Sequence, residues 1–113
     1  MTTAHELARE HCRPLRGSEH LLEPAQADSL LTCLPDWQIS GGGLLQKEFT
    51  FASYAATLLF VNTVAALAER ENHHPDLEVG YGRVKVSYST HDVGGLSRND
   101  FTCAAKIEAL TGF

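Results

Sequence analysis

Two adjacent imidazoles, His73 and His74, stand immediately before Pro75-Asp76, and a third, His91, follows seventeen positions after His74. An imidazole titrates near neutrality and can give or take a proton at physiological pH. Three of them converging would suit general acid/base chemistry, in which one group loses a proton while another departs as water. Nothing in the spacing demands a covalent nucleophile. Three histidines and a carboxylate could also hold a tetrahedral metal ion. Adjacent histidines lack the one-face i,i+4 placement of a helical chelator, however, and no cysteine joins them in sequence, so no metal is expected. A paired histidine taken alone is also an ordinary feature of a solvated loop. What decides between these readings is whether the flanking elements carry His91 back to the pair.

The pair belongs to a loop, because Pro75 disfavours helix for the residue before it and stops a helical pattern near Asn72. That pattern opens at Ser53, an N-cap. Tyr54, Leu58, Val61, Ala65 and Ala68 then recur at helical spacing, and Phe60, Val64 and Leu67 widen the stripe. Beyond the loop, Leu77 to Val79 and Val84 to Tyr88 read as strands joined through Gly80-Tyr81-Gly82. This hairpin puts His91 at the end of the fourth strand, shortly before Gly94-Gly95, and returns that end toward the histidine loop. Upstream, Pro24 opens a short helix that Pro35 ends, and Trp37 to Ser40 and Leu44 to Phe51 form a hairpin about Gly41-Gly42-Gly43. Downstream, Ser97-Arg98-Asn99-Asp100 resembles a capping box. It opens a final helix with Phe101, Ala104, Ala105, Ile107 and Leu110 inward, ending before Gly112.

The order α-β-β-α-β-β-α predicts an α+β fold, a single domain with a four-stranded antiparallel sheet and helices packed on one face. By period, Phe49, Phe51 and Phe60 are core residues, Trp37 packs near the first helix, and Tyr81 packs at the strand junction. With one sheet face uncovered by helices, a sheet edge or the apolar helix faces are expected to mediate pairing with further copies, as a homodimer or homotetramer.

With 43% hydrophobic and 20% charged residues in 113, the chain can build one core unaided. Residues 1–22 mix charges and histidines without apolar period and read as an irregular lead-in to a domain over 23–113. His5, His11 and His20 are expected at the surface. A net charge of -5 argues against direct nucleic-acid or anionic-membrane binding. No secretory pattern or membrane-length apolar run is present, so a cytoplasmic protein is expected. Cys12, Cys33 and Cys103, odd in number and widely spaced, read as free thiols.

Glu69, three residues, His73-His74-Pro75, five residues, Tyr81, nine residues, His91, eight residues, Asp100 resembles the signature of the pterin-4a-carbinolamine dehydratases over 32 residues. The likeness extends from about Pro24 to Leu110. It implies a hydro-lyase that converts 4a-hydroxytetrahydropterin into quinonoid dihydropterin and water, recycling the pterin of aromatic amino-acid hydroxylases without a metal or organic cofactor. His73, His74 and His91 then correspond to the catalytic histidines, with Glu69, Asn72, Pro75 and Asp100 binding substrate or supporting them. Asn72 departs from the aspartate that some members carry, and an amide supplies no charge. Glu69 also reads as an exposed helix residue, and Asp100 as the capping partner of Ser97. The family resemblance also carries an alternative, a non-catalytic interaction protein such as a Rubisco assembly factor or a transcriptional dimerisation cofactor.

Overall fold

The chain folds as α1 (Ala4–Arg9), α2 (Pro24–Leu31), β1 (Gln38–Ser40), β2 (Leu44–Thr50), α3 (Tyr54–Glu71), β3 (Asp76–Val79), β4 (Arg83–Tyr88) and α4 (Arg98–Glu108). Short 3-10 turns lie at Ser18–His20 and His91–Val93. The structure, a computed structural model, describes residues 2–41 and 43–110. Gly42 of the expected glycine turn and Gly112 after the last helix lie outside the described residues.

The four strands form one antiparallel sheet in the order β1-β2-β4-β3. Register sets Leu45 opposite Tyr88 and Leu77 opposite Val86, so strand alternation turns Leu45, Val84, Val86 and Tyr88 toward the helices, where all four are fully buried. Phe60, Val64 and Leu67 of α3 and Phe101, Ala104 and Ile107 of α4 complete that core. Lys47 breaks the apolar alternation of β2 for a visible reason. Its ammonium lies 4.5 Å from the centre of the Phe49 ring and donates to Glu108 Oε2 at 2.7 Å. The buried Trp37 indole N–H donates to the same oxygen at 3.0 Å and its ring meets Phe49 edge-on.

Three sequence expectations change here. The sheet face away from the helices carries Gln38, Ser40, Gln46, Glu48, Lys85 and Ser87, with Gln46 Nε2 donating to Ser87 Oγ at 2.8 Å. Leu44, opposite Ser40, is an apolar residue on this otherwise mainly polar face. On α3, Tyr54, Leu58 and Ala65, placed on the inward stripe by period, are exposed, while the residues that widened that stripe fill the core. A helix that is apolar nearly all round does not reveal its buried face by periodicity. Tyr81, expected to pack, is 72% exposed and stacks on Tyr54 with ring centres 5.7 Å apart.

A fourth correction concerns the irregular lead-in expected over residues 1–22, within which Ala4–Arg9 form α1. Thr3 accepts from the Glu6 N–H to cap α1, and Leu7 is fully buried. Arg98 grips Glu10 through two hydrogen bonds of 2.8 and 2.7 Å, and Lys106 Nζ donates to Ala8 O at 2.8 Å. Buried Glu71 ends α3 against this segment, accepting from the Cys12 N–H at 2.8 Å and lying 3.0 Å from His11 Nδ1. One buried leucine is too few to leave a periodic signal.

Burial alone would push the Glu71 carboxyl up, but the Cys12 N–H, His11 and the Lys106 charge outweigh it and hold the group below its ordinary 4.5. A depressed carboxyl stabilises the fold fully above its unfolded value and loses that contribution as pH falls through the folded one. Glu71→Gln is therefore expected to be less stable than wild type at pH 7, with the gap closing as pH drops below about 4.5. Denaturant titrations at several pH values read this directly, and a gap that widens on acidification would contradict it.

Candidate active site

The histidine pair is placed by the way α3 stops. Asn72 adopts a left-handed backbone at φ 51° and ψ 42°, its N–H bonds Glu69 O, and the His73 N–H bonds Ala68 O at 3.1 Å. This is a Schellman ending, and asparagine tolerates the left-handed region better than most side chains. The exposed Asn72 thus reverses the chain one residue before the pair, and half-buried Pro75 leads into β3.

His73 turns inward. Its Nε2 lies 2.6 Å from Asp100 Oδ1, its ring stacks on Tyr88 with centres 5.5 Å apart at 12°, and its side chain is 13% exposed. Asp100 has no exposed surface. Its second oxygen accepts from the Thr90 hydroxyl and the Ser97 N–H, both at 2.9 Å, and Thr90 Oγ1 lies 2.6 Å from Ser97 Oγ. One carboxylate thus closes the α4 capping box and holds an imidazole. With the carboxylate accepting, the His73 Nε2 is the donor of this pair.

His74 turns outward, with its Nε2 2.5 Å from Glu69 Oε2 in a solvent-facing pair. His91 opens the 3-10 turn after β4, and Thr90 beside it reaches Asp100. The His91 ring is exposed and lines a cleft of about 280 Å³ with Gly43, Leu44, Ser89, Gly94 and Gly95, a lining that includes neither His73 nor His74. The structure therefore joins His73 to Asp100 and His74 to Glu69 directly, while His91 is linked to them through its neighbour Thr90, whose hydroxyl donates to Asp100. A cavity of about 550 Å³ among Glu10, Arg13, His20, Arg98 and Thr102 includes none of the three. Among the described residues, no three His, Cys, Asp or Glu side chains form a metal cage, and no helix is long and apolar enough to cross a membrane.

Sequence reasoning missed Thr90, Ser97 as a hydroxyl partner, and Tyr88. Thr90 sits beside His91 and could have been found as a hydroxyl next to a candidate histidine; Tyr88 reads only as a strand residue. Among the described residues the buried Tyr88 hydroxyl has no nitrogen or oxygen partner, only the weakly bonding Cys103 thiol beside it, and burial pushes its phenol well above the usual range. Tyr88→Phe removes this poorly satisfied polar atom and keeps the stacked ring, so its melting temperature is expected to equal or exceed that of wild type. A fall of several degrees in a thermal scan would show that the hydroxyl has a partner after all.

A family model described as pterin 4 alpha carbinolamine dehydratase matches residues 20–110, a span holding both histidine–carboxylate pairs and His91. A protein of Xanthomonas campestris pv. campestris (strain 8004), provisionally named a pterin-4-alpha-carbinolamine dehydratase, is 51% identical over 111 residues, covering 97% of this chain and 94% of its own. A provisional namesake from Stenotrophomonas maltophilia is 54% identical over 106 residues, with coverages of 93% and 91%. The solved transcriptional coactivator/pterin dehydratase from Brucella melitensis superposes with a TM-score of 0.76 at 29% identity, covering 80% of this chain and 98% of its own. A pterin dehydratase-like protein identified as a RuBisCO assembly factor in the alpha-carboxysome superposes at 0.58 and 29% identity, covering 67% and 89%. Similarity over nearly the whole length, the shared fold and the retained signature place this chain in the pterin 4 alpha carbinolamine dehydratase family.

Proposed function

We propose that this chain is a 4a-hydroxytetrahydropterin dehydratase working by histidine general acid/base catalysis. The observation that carries the reading is His73 hydrogen-bonded to a fully buried Asp100, which orients the imidazole and supports its use in proton transfer. Dehydration breaks the C4a–OH bond, forms the C4a=N5 bond and releases water. One proton must reach the departing hydroxyl and one must leave N5, and these transfers balance the reaction without a metal or organic cofactor. His73 Nδ1 suits removal of the N5 proton, and an exposed ring, His74 or His91, supplies the other proton. In the cytoplasm this step would return the pterin released by an aromatic amino-acid hydroxylase. The test is a stopped-flow assay of carbinolamine loss with the spontaneous rate subtracted; wild type indistinguishable from buffer refutes the proposal.

A second reading, an interaction or assembly role, draws on α3, whose outward face exposes Tyr54, Leu58 and Leu59 by 49%, 37% and 52%. The two solved relatives are described as a coactivator/dehydratase and an assembly factor. This face, together with the free β1 and β3 edges, also supports self-association as a homodimer or homotetramer. The solution mass by light scattering is expected to exceed one chain at micromolar concentration, and Leu59→Glu is expected to lower it. A strictly monomeric wild type would contradict this.

A further inference from the structure

Cys12 and Cys103 come from opposite ends of the chain, yet their sulfurs lie 3.3 Å apart. Cys12 is half-buried in the segment that follows α1, and Cys103 is fully buried on α4. The backbone around Cys12 is held on both sides. Its own N–H bonds Glu71 Oε1 at 2.8 Å, the next N–H bonds Asn99 Oδ1 at 3.2 Å, and Asn99 Nδ2 donates back to Arg13 O at 2.7 Å. Two thiols fixed this way need only small side-chain rotations to reach the roughly 2.05 Å of a disulfide. Cys33 is engaged elsewhere, its thiol donating to Thr2 O at 3.0 Å. A second observation points to the same spot. The buried Tyr88 hydroxyl lies against the Cys103 thiol, on the ring whose face stacks on His73.

We propose that Cys12 and Cys103 form a reversible disulfide, made by hydrogen peroxide or a small-molecule disulfide, that clamps the N-terminal segment to α4 beneath the Tyr88–His73 stack. Cys12 reacts first because it is the reachable thiol. Its thiolate attacks one peroxide oxygen, the O–O bond breaks, and the other oxygen leaves as water with a proton from solution, giving a sulfenic acid. The Cys103 sulfur then displaces the sulfenic oxygen, which departs as a second water carrying the Cys103 proton. Two electrons pass from the sulfurs to the peroxide. Cys103 serves as the resolving thiol; its hydrogen bond with Cys12, and then burial, push it well above the usual thiol range, so it keeps its proton until the sulfenic acid is beside it. In a reducing compartment such a bond is transient, the usual form of intracellular redox disulfides.

The test treats the reduced full chain with hydrogen peroxide or oxidised glutathione, then combines non-reducing peptide mapping with thermal denaturation. Expected are a linked peptide pair bearing Cys12 and Cys103, lighter by two hydrogens and restored by dithiothreitol, and a melting temperature raised on the order of ten degrees, because the bond closes a very long loop. Cys33→Ser should keep both results and Cys12→Ser should lose both. Should Cys12→Ser fail to fold, the wild-type map decides alone. Three thiols that stay free under oxidant sufficient to oxidise free cysteine would overturn the proposal, as would a bridge to Cys33 or between two chains. Because the readouts are mass and melting, the outcome is independent of whether the chain proves to be a dehydratase.

Discussion

His74→Ala is expected to slow carbinolamine dehydration by roughly a hundredfold to ten-thousandfold, the usual contribution of a general acid or base, with its circular dichroism spectrum and melting temperature close to those of wild type. The separation follows from placement. The His74 side chain is 53% exposed and its one partner, Glu69, is 78% exposed, so the pair adds little to stability. His73→Ala should slow the reaction comparably but also melt earlier, because it strips Tyr88 of a stacking partner and leaves Asp100 Oδ1, buried in the fold, without its donor. Stopped-flow rates beside thermal scans for both variants and for His91→Ala distinguish the roles. An active wild type matched by all three folded variants would move the chemistry away from these histidines. A wild type with no activity would instead give the interaction reading the lead.

The second large effect is expected at Asp100. Asp100→Ala removes a fully buried carboxylate that satisfies His73, the Thr90 hydroxyl and the Ser97 N–H together. Stranding three buried polar groups costs about 3 kcal/mol or more, and the melting temperature should fall by more than roughly ten degrees. Asp100→Asn tests the other half of its work. An amide can still accept from Ser97 through its oxygen, but its NH2 then faces His73 and forces Nε2 to accept, moving the proton to Nδ1. The folded asparagine variant is expected to lose most activity while keeping much more stability than the alanine one. Full activity in Asp100→Asn would reduce Asp100 to a helix cap. An alanine variant as stable as wild type would contradict the buried network.

The sheet and the histidine loop were legible because their signals are local. Val84, Val86 and Tyr88 alternate against polar residues, and Pro75 bars the helix from continuing, so β4 and the end of α3 follow from neighbouring residues. Asp100 was legible twice, as capping partner and as signature residue, and the structure shows it closing the capping box while bonded to His73. The buried face of α3 was not legible, since Leu58 and Phe60 carry equal hydrophobicity and only the position of the sheet selects between them. Nor was α1, which is held by one leucine and by hydrogen bonds to residues near the other end of the sequence. Thr90 escaped for a related reason, because a hydroxyl acquires meaning only when a buried carboxylate is folded against it.

The docking of α1 carries a consequence for the order of folding. Its anchors pair residues 88 positions apart at Glu10–Arg98, 86 at Arg13–Asn99 and 98 at Ala8–Lys106. A segment that precedes its partner helix by so many residues has nothing to dock on until α4 is made. Contacts of such long sequence separation form late, after the loop between them has been closed by the sheet. The N-terminal helix should be the last element to gain protection from hydrogen exchange during refolding, and a released chain truncated before Arg98 should leave it open to protease.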